Sequence, residues 1–146
     1  MFDEPTNPDR IKRKLQSAGI RATQQRVMLA GILFNGGDRH ISAEALFEET
    51  KRLGSSLSLA TVYNTLRQFT DAGLLRPIAV DGTKCLFDTN LSDHYHFIVE
   101  GEDELIDFST SSLISEGVFA PPPGYEVSHI NVLVRLKKVG PSKKRT

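Results

Sequence analysis

The sequence predicts an α+β protein built as two small domains, with helices in the first and mainly strands in the second. Apolar residues recur at helical spacing in four successive stretches between residues 8 and 72. From residue 75 onward the period shifts to two, in short runs bounded by turn-forming residues. A chain of 146 residues is also long enough for one ordinary domain or two small ones. The expected division is 1–88 for the helical domain with a terminal hairpin, 89–93 for a polar hinge, 94–138 for a small α/β domain and 139–146 for a basic tail.

The first helix is expected over 8–19, with Ile11, Leu15 and Ala18 inward and glycine at its end. Thr23 is placed to cap a second helix carrying Val27, Ala30, Gly31 and Phe34 inward, which Gly36-Gly37 breaks. Ser42 caps a third, with Leu46, Phe47, Thr50 and Leu53 inward and Gly54 closing it. The fourth, over 58–72 with Gly73 as its stop, has two faces of different kind. Val62, Leu66 and Phe69 form its buried stripe, so Ala60, Tyr63, Asn64 and Arg67 point outward at spacing i, i+3, i+4 and i+7. That outer face has an aromatic ring, an amide and a guanidinium and no acid before Asp71. Such a set suits contact with base edges and phosphates, and it also fits an ordinary polar face.

Residues 75–80 and 83–88 read as strands joined by Asp81-Gly82, a pair suited to the positive φ angles of a tight hairpin. Helices followed by a hairpin make a winged helix. Pro77 lacks an amide proton, so its strand belongs at an edge. Beyond the hinge, 94–99 and 105–108 form a second hairpin about an acidic turn. A short helix is expected over 109–118, stopped by Pro121-Pro122-Pro123-Gly124, and then a long strand over 125–136 with Ile130, Val132, Val134 and Leu136 on one face. So few residues barely bury that sheet, which makes the second domain a dimerisation unit and predicts a homodimer.

The formal net charge is zero, yet the charges segregate. Residues 10–76 hold eleven Lys and Arg against five Asp and Glu; residues 89–136 hold one basic residue, Arg135, against eight acidic ones; the last ten residues add five basic ones. A basic first half suits a phosphate backbone and an acidic second half suits cations or plain solubility, although uneven solvated surfaces give the same counts. No apolar run of membrane-spanning length and no secretory segment at 1–9 is present, so a cytoplasmic chain with no membrane partner is expected. The single cysteine, Cys85, forms no internal disulfide and no four-cysteine zinc knot. It shares a wing face with Phe87, which suggests a packed thiol.

Three segments together carry a family resemblance: Gly19-Ile20-Arg21-Ala22-Thr23-Gln24-Gln25-Arg26, His40-Ile41-Ser42-Ala43-Glu44, and Leu59-Ala60-Thr61-Val62-Tyr63-Asn64-Thr65-Leu66, followed by His94-Tyr95-His96. In combination, over roughly residues 10–137, they resemble the ferric uptake regulator (Fur) family of dimeric, metal-controlled repressors. The resemblance implies that the fourth helix lies in the major groove of a double-stranded DNA operator, with Tyr63 packing on thymine. Ser58, Ala60, Thr61, Asn64 and Arg67 are then its other DNA-contacting candidates. Arg21 matches a basic residue that the family places in an A·T-rich minor groove. Asn64 stands where many iron-sensing members have arginine, a replacement that resembles peroxide-sensing PerR proteins and some iron response regulators, and an asparagine reads adenine. A dimer implies a near-palindromic site.

On a strand, His94 and His96 point to one side about 7 Å apart, so both imidazoles can serve one metal ion or one side of a porphyrin. If the hairpin is symmetric about Gly101-Glu102, residue 96 pairs with residue 107 and Asp107 lies beside His96. Two imidazoles and a carboxylate favour a divalent first-row metal: iron, manganese or zinc. An isolated His-x-His is more often a plain surface feature. The resemblance adds a histidine before the third helix, His40, and an acid at the end of the wing, Asp88. The implied metal set is His40, Asp88, His94, His96 and Asp107, joining the two domains through one cation.

Departures from the family pattern narrow the branch. Val99 and Glu102 occupy the positions of its first Cys-x-x-Cys pair and no cysteine follows Leu133, so structural four-cysteine zinc is not expected. Asp93 and Tyr95 fit a second family metal site poorly. Missing cysteines together with Asn64 resemble the iron response regulator (Irr) branch, which responds to haem. Haem as effector would use His94 or His96 and compete with the metal, whereas Cys85 and His129 are read as structural or surface residues. The turn residues Glu100, Glu102, Asp103 and Glu104 read as a solvated loop. A peroxide-sensing (PerR) member using ferrous iron has the same ligand types. A metal-dependent hydrolase is disfavoured because the ligands span a hinge and no nucleophile-bearing loop accompanies them. The chain is therefore read as a regulator and not an enzyme, with a non-specific winged-helix architectural protein as the remaining alternative.

Overall fold

The computed structural model describes residues 7–80, 84–92, 95–102, 105–108, 119–128 and 130–140. The chain divides into two compact units, the first ending at Leu91 and the second beginning at Ser92. Six features expected from sequence lie outside the described residues: the Asp81-Gly82 turn, Asp93 and His94, the acids Asp103 and Glu104, the helix over 109–118, His129, and the tail beyond Gly140.

In the first unit each helix begins where a polar cap precedes an apolar stripe. Asn7 accepts the amide of Asp9 at 3.0 Å and Pro8 opens α1 (Pro8–Ser17), which buries Ile11 and Leu15. Thr23 caps α2 (Gln24–Phe34) through the Arg26 amide at 3.3 Å. Its buried face is wider than the expected stripe: Leu29 and Leu33 join Ala30, Gly31 and Phe34 in the core, while Val27 is half-buried against it. Ser42 caps α3 (Ala43–Arg52), and Ala43, Leu46 and Thr50 turn inward. Leu53 does not, contrary to expectation: it is 68% exposed. The helix ends at Arg52, and Leu53 is the cap residue before Gly54, whose φ of +83° turns the chain away from the stripe. In α4 (Leu59–Asp71) Val62, Leu66 and Phe69 are fully buried and Thr65 nearly so, as the two-faced pattern required.

The sheet of this unit has three strands where two were anticipated. A two-residue strand, β1 (His40–Ile41), lies between α2 and α3, and the order is β1-β3-β2, with β2 spanning Arg76–Ala79 and β3 Cys85–Asp88. Central β3 pairs antiparallel with both neighbours, so Pro77 does stand on an edge strand. The hairpin closes through the Val80 amide on the Lys84 carbonyl at 2.9 Å. Helices followed by this three-stranded wing form a winged-helix domain. Cys85 corrects a sequence expectation, because it is exposed rather than packed. Leu86 and Phe87 take the buried wing positions on the two faces of β3. Neighbouring atoms still withdraw enough water from the thiol to push its pKa up.

The second unit is a small sheet of order β5-β4-β6, with β4 over Tyr95–Val99, β5 over Leu105–Phe108 and β6 over Leu133–Leu136. The β4–β5 hairpin turns at Gly101, with φ +84°, and is closed by the Glu102 amide on the Val99 carbonyl at 2.9 Å. The long strand expected over 125–136 is reduced to β6, which runs parallel to β4. A strand needs a ladder partner, and β4 offers pairs only from His96↔Leu133 to Val99↔Leu136. Upstream, Gly124 with φ +88° and the Tyr125 amide on the Pro122 carbonyl make a turn, and Tyr125 and Val127 stay exposed. Tyr95 and Phe97 both pack against Phe108, the latter stacked at a centroid distance of 4.2 Å. Among the described residues no helix is long and apolar enough to cross a membrane.

The two faces of α4 differ in what substitution should cost. Phe69→Ala leaves a cavity beside Phe34, whose ring centroid lies 6.4 Å away, and is expected to destabilise by about 3–5 kcal/mol in urea unfolding. Arg67→Ala, on the exposed face, is expected to stay within about 0.5 kcal/mol of the parent.

Candidate nucleic-acid interface and metal ligands

The display of the α4 outer face depends on how its N-terminus is tied. Ser58 Oγ accepts the Thr61 amide at 3.1 Å and lies 3.0 Å from the Thr61 hydroxyl, so both side chains are engaged in capping. Thr65 donates its hydroxyl to the Thr61 carbonyl at 2.8 Å. With the inner stripe withdrawn from water, Ala60, Tyr63, Asn64, Arg67 and Gln68 are exposed together on the opposite side. Ser58 and Thr61 thus sit at the start of this surface as caps, whereas Tyr63, Asn64 and Arg67 are its presented groups.

Tyr63 is 40% exposed and its hydroxyl donates to Glu44 Oε2 on α3 at 2.6 Å. This bond holds the Glu44 carboxyl below its usual pKa, with a smaller contribution from nearby Lys84, and pushes the Tyr63 phenol up. The phenol therefore stays protonated through neutral pH. Sequence reasoning did not find Glu44, because nothing in the spacing of residues 44 and 63 signals their meeting.

Beside α4 an open cleft of about 490 Å³ is lined by Thr23, Gln24, Gln25 and Arg26 from the start of α2 and by Thr61, Asn64, Thr65 and Gln68. Arg26 donates to the Arg21 carbonyl at 3.0 Å, which ties the exposed Arg21 to the cleft wall. Gln24, Gln25, Arg26 and Gln68 had no assigned role. Gln68 was legible, being four residues beyond Asn64 on the same helical face.

Each unit presents one imidazole opposite one carboxylate. In the first, the β1–β3 ladder sets His40 across from Asp88, and antiparallel partners have Cβ atoms about 4.5–5.5 Å apart. This two-residue strand is held beyond its own ladder. Arg39 and Thr89 bond reciprocally, amide to Thr89 Oγ1 at 3.0 Å and Thr89 amide to Arg39 carbonyl at 2.9 Å. The Arg39 guanidinium meanwhile forks onto both oxygens of Glu49 at 3.3 and 2.6 Å. Asp88 is buried, and its Oδ1 accepts the Asn90 amide at 2.9 Å, which turns the chain out of β3.

In the second unit the register is the one symmetry about Gly101-Glu102 requires, His96↔Asp107. His96 Nε2 lies 3.4 Å from Asp107 Oδ1, the imidazole side chain 7% and the carboxylate 41% exposed. The His96 amide is taken by the Val132 carbonyl at 3.1 Å, so the ring hangs from a strand bonded on both sides. Imidazole nitrogen beside carboxylate oxygen is the donor chemistry of divalent first-row metals, which His96 and Asp107 present side by side, whereas His40 and Asp88 are set opposite each other by ladder register. His94 lies outside the described residues. Cys85, exposed on the wing, is the only sulfur donor of the cysteine type in the chain, so a four-cysteine zinc site is not available within it.

Comparison with known proteins agrees with this fold. The model of the ferric uptake regulator family matches residues 17–134. The peroxide operon regulator of Bacillus subtilis (strain 168) is 34% identical over 116 residues, covering 79% of this chain and 79% of its own length. The ferric uptake regulation protein of Yersinia pestis is 34% identical over 104 residues, 70% of each chain. Among solved structures, the ferric uptake regulator of Pseudomonas aeruginosa with manganese superposes with a TM-score of 0.73 at 28% identity, covering 87% of this chain and 96% of that one. That of Vibrio cholerae gives 0.72 at 27% identity, covering 87% and 98%. The chain therefore belongs to the ferric uptake regulator family, and it is a metal-responsive transcription regulator rather than an enzyme.

Proposed function

We propose that this regulator binds a near-palindromic, A·T-rich operator as a homodimer, with α4 in the major groove, and that a divalent metal and haem control the binding. The observation that carries the DNA half is the division of α4: three side chains fully buried on one face, and Tyr63, Asn64 and Arg67 exposed on the other. In this reading Tyr63 packs on a thymine, Asn64 reads an adenine edge, and Ala60 permits close approach. Ser58 and Thr61 orient the helix start against the backbone, and Arg67 and Arg21 meet phosphate and minor groove. Asn64→Ala should cost about 1–3 kcal/mol of discrimination at one base position per half-site. Arg21→Ala should weaken binding and lower the salt slope by about one. Mobility shifts on operator and on random duplex check both, and equal losses on the two DNAs for Asn64→Ala would leave only non-specific binding.

The metal half of the proposal unites both pairs with His94, so that His40, Asp88, His94, His96 and Asp107 bind one Fe²⁺, Mn²⁺ or Zn²⁺ ion across the hinge at 89–93. When bound, the ion supplies a positive centre that five neutral or anionic donors satisfy. Two observations support this set: His40 stands across the ladder from Asp88, and His96 Nε2 lies 3.4 Å from Asp107 Oδ1. His96→Ala or Asp107→Ala should lower Mn²⁺ affinity by at least about tenfold in titration calorimetry. Retained affinity in both variants would remove the second unit from the site.

Haem response follows from the Irr-like features, Asn64 and the missing cysteine pairs, with His94 or His96 as axial ligand and the metal as competitor. The likeness to a peroxide operon regulator favours a second reading, in which ferrous iron in this donor set reacts with peroxide. Two experiments separate these readings. Adding haem to the Mn²⁺ form should release Mn²⁺ signal and change operator affinity, whereas peroxide on the Fe²⁺ form should oxidise His40 or His94 by mass spectrometry. Haem that binds without altering operator affinity would exclude the first reading.

A further inference from the structure

We propose that Glu44 is a positioning residue for base recognition: by holding the Tyr63 hydroxyl it fixes the ring and limits what Tyr63 offers a base. The inference rests on α4 being the DNA-reading helix. A phenol has one proton to donate, and here it goes to a carboxylate at 2.6 Å, the short distance of a charge-assisted bond. Both partners stand on helices rather than loops: Tyr63 on α4, anchored by Val62 and Leu66, and Glu44 in the first turn of α3, anchored by Ala43 and Leu46. That first turn is where the helix dipole favours a carboxylate, and Lys84 adds a further attraction. Neither group needs to move to make the contact.

The consequence is chemical. With its proton committed, Tyr63 donates to a base carbonyl only by giving up the bond to Glu44. What remains is the apolar edge of the ring, which matches a thymine methyl, and the oxygen lone pair, which accepts only from an amino group. Donor-seeking guanine O6 and N7 are disfavoured at this position. The Glu44 carboxylate, placed beside the reading face, also repels phosphate and so works against loose docking on the backbone. Glu44 thus acts on selectivity more than on affinity.

The test is selection from a random duplex oligonucleotide pool with the full-length protein, run with Mn²⁺ and, in parallel, with chelator. The parent and Glu44→Gln, whose amide oxygen still accepts from the phenol, should enrich the same site. Glu44→Ala should lose about fivefold in preference at one position per half-site, the position that Tyr63→Ala flattens, while affinity for random duplex does not fall. Tyr63→Phe should lose the part of that preference that comes from the fixed ring while guanine stays disfavoured, since phenylalanine has no proton to offer, and the Glu44→Ala/Tyr63→Phe double variant should match Tyr63→Phe. Because Tyr63→Phe removes the bond without touching α3, it keeps the test decisive even where Glu44→Ala melts early. Unaltered preference in Glu44→Ala and Tyr63→Phe, or a loss spread evenly over all positions, overturns the role of Glu44 alone. A parent protein that enriches no sequence in either metal state overturns the DNA reading, and this proposal with it.

Discussion

The complete withdrawal of Val62, Leu66 and Phe69 from water is the constraint on which the first unit depends. Burying each such side chain fully stabilises by roughly 1.5–3 kcal/mol, far more than any exposed contact on the same helix provides. That asymmetry fixes the rotation of α4 about its axis, and with it which residues face outward. Tyr63, Asn64 and Arg67 need no stabilising role of their own. The surface that meets a ligand is thus free to be chosen for recognition, while the opposite face holds the helix in place.

Strand β3 plays the matching part for the candidate ligands His40 and Asp88. Paired on both sides, it is the one central strand of the wing, and Asp88 is its last residue. The same ladder that holds the wing together sets His40 opposite Asp88. The reciprocal bonds of Arg39 and Thr89 extend that ladder by one step, and the Arg39–Glu49 fork anchors it to α3. Helix α3, the wing and a candidate ligand pair are therefore one hydrogen-bonded assembly.

What the sequence revealed follows from which interactions are periodic. The four helices, the caps Thr23 and Ser42 and the inward stripe of α4 were legible because they repeat at 3.6 residues and are punctuated by capping residues and glycines, whereas the caps Asn7 and Ser58 emerge only from the structure. The His96↔Asp107 register was legible because a short symmetric hairpin leaves little freedom. Strand β1 was not, since two residues carry no period and its partner lies 46 or more positions away in the chain. The length of β6 was overestimated because alternation in 125–136 states a preference, whereas a strand forms only where β4 supplies a ladder. Leu53 was misplaced by extending the α3 period one residue past its cap. Glu44–Tyr63 is a tertiary meeting of two exposed polar side chains, and no local pattern encodes it.

The proposed metal site has a consequence that does not depend on which ion fills it. One imidazole and one carboxylate hold a divalent ion weakly, because two donors leave most of its coordination to water. Two such pairs plus His94 bind it well only when both units offer their donors at once. An ion held this way would have different affinities for different arrangements of the units, and its binding energy would be spent on selecting one of them. Linkage then makes the effect reciprocal: if metal raises operator affinity by some factor, operator raises metal affinity by the same factor. A ligand set confined to one unit would bind metal equally in every arrangement and regulate nothing. In the proposed site, division of the donors between the two units would make the ion a regulatory ligand rather than a structural one.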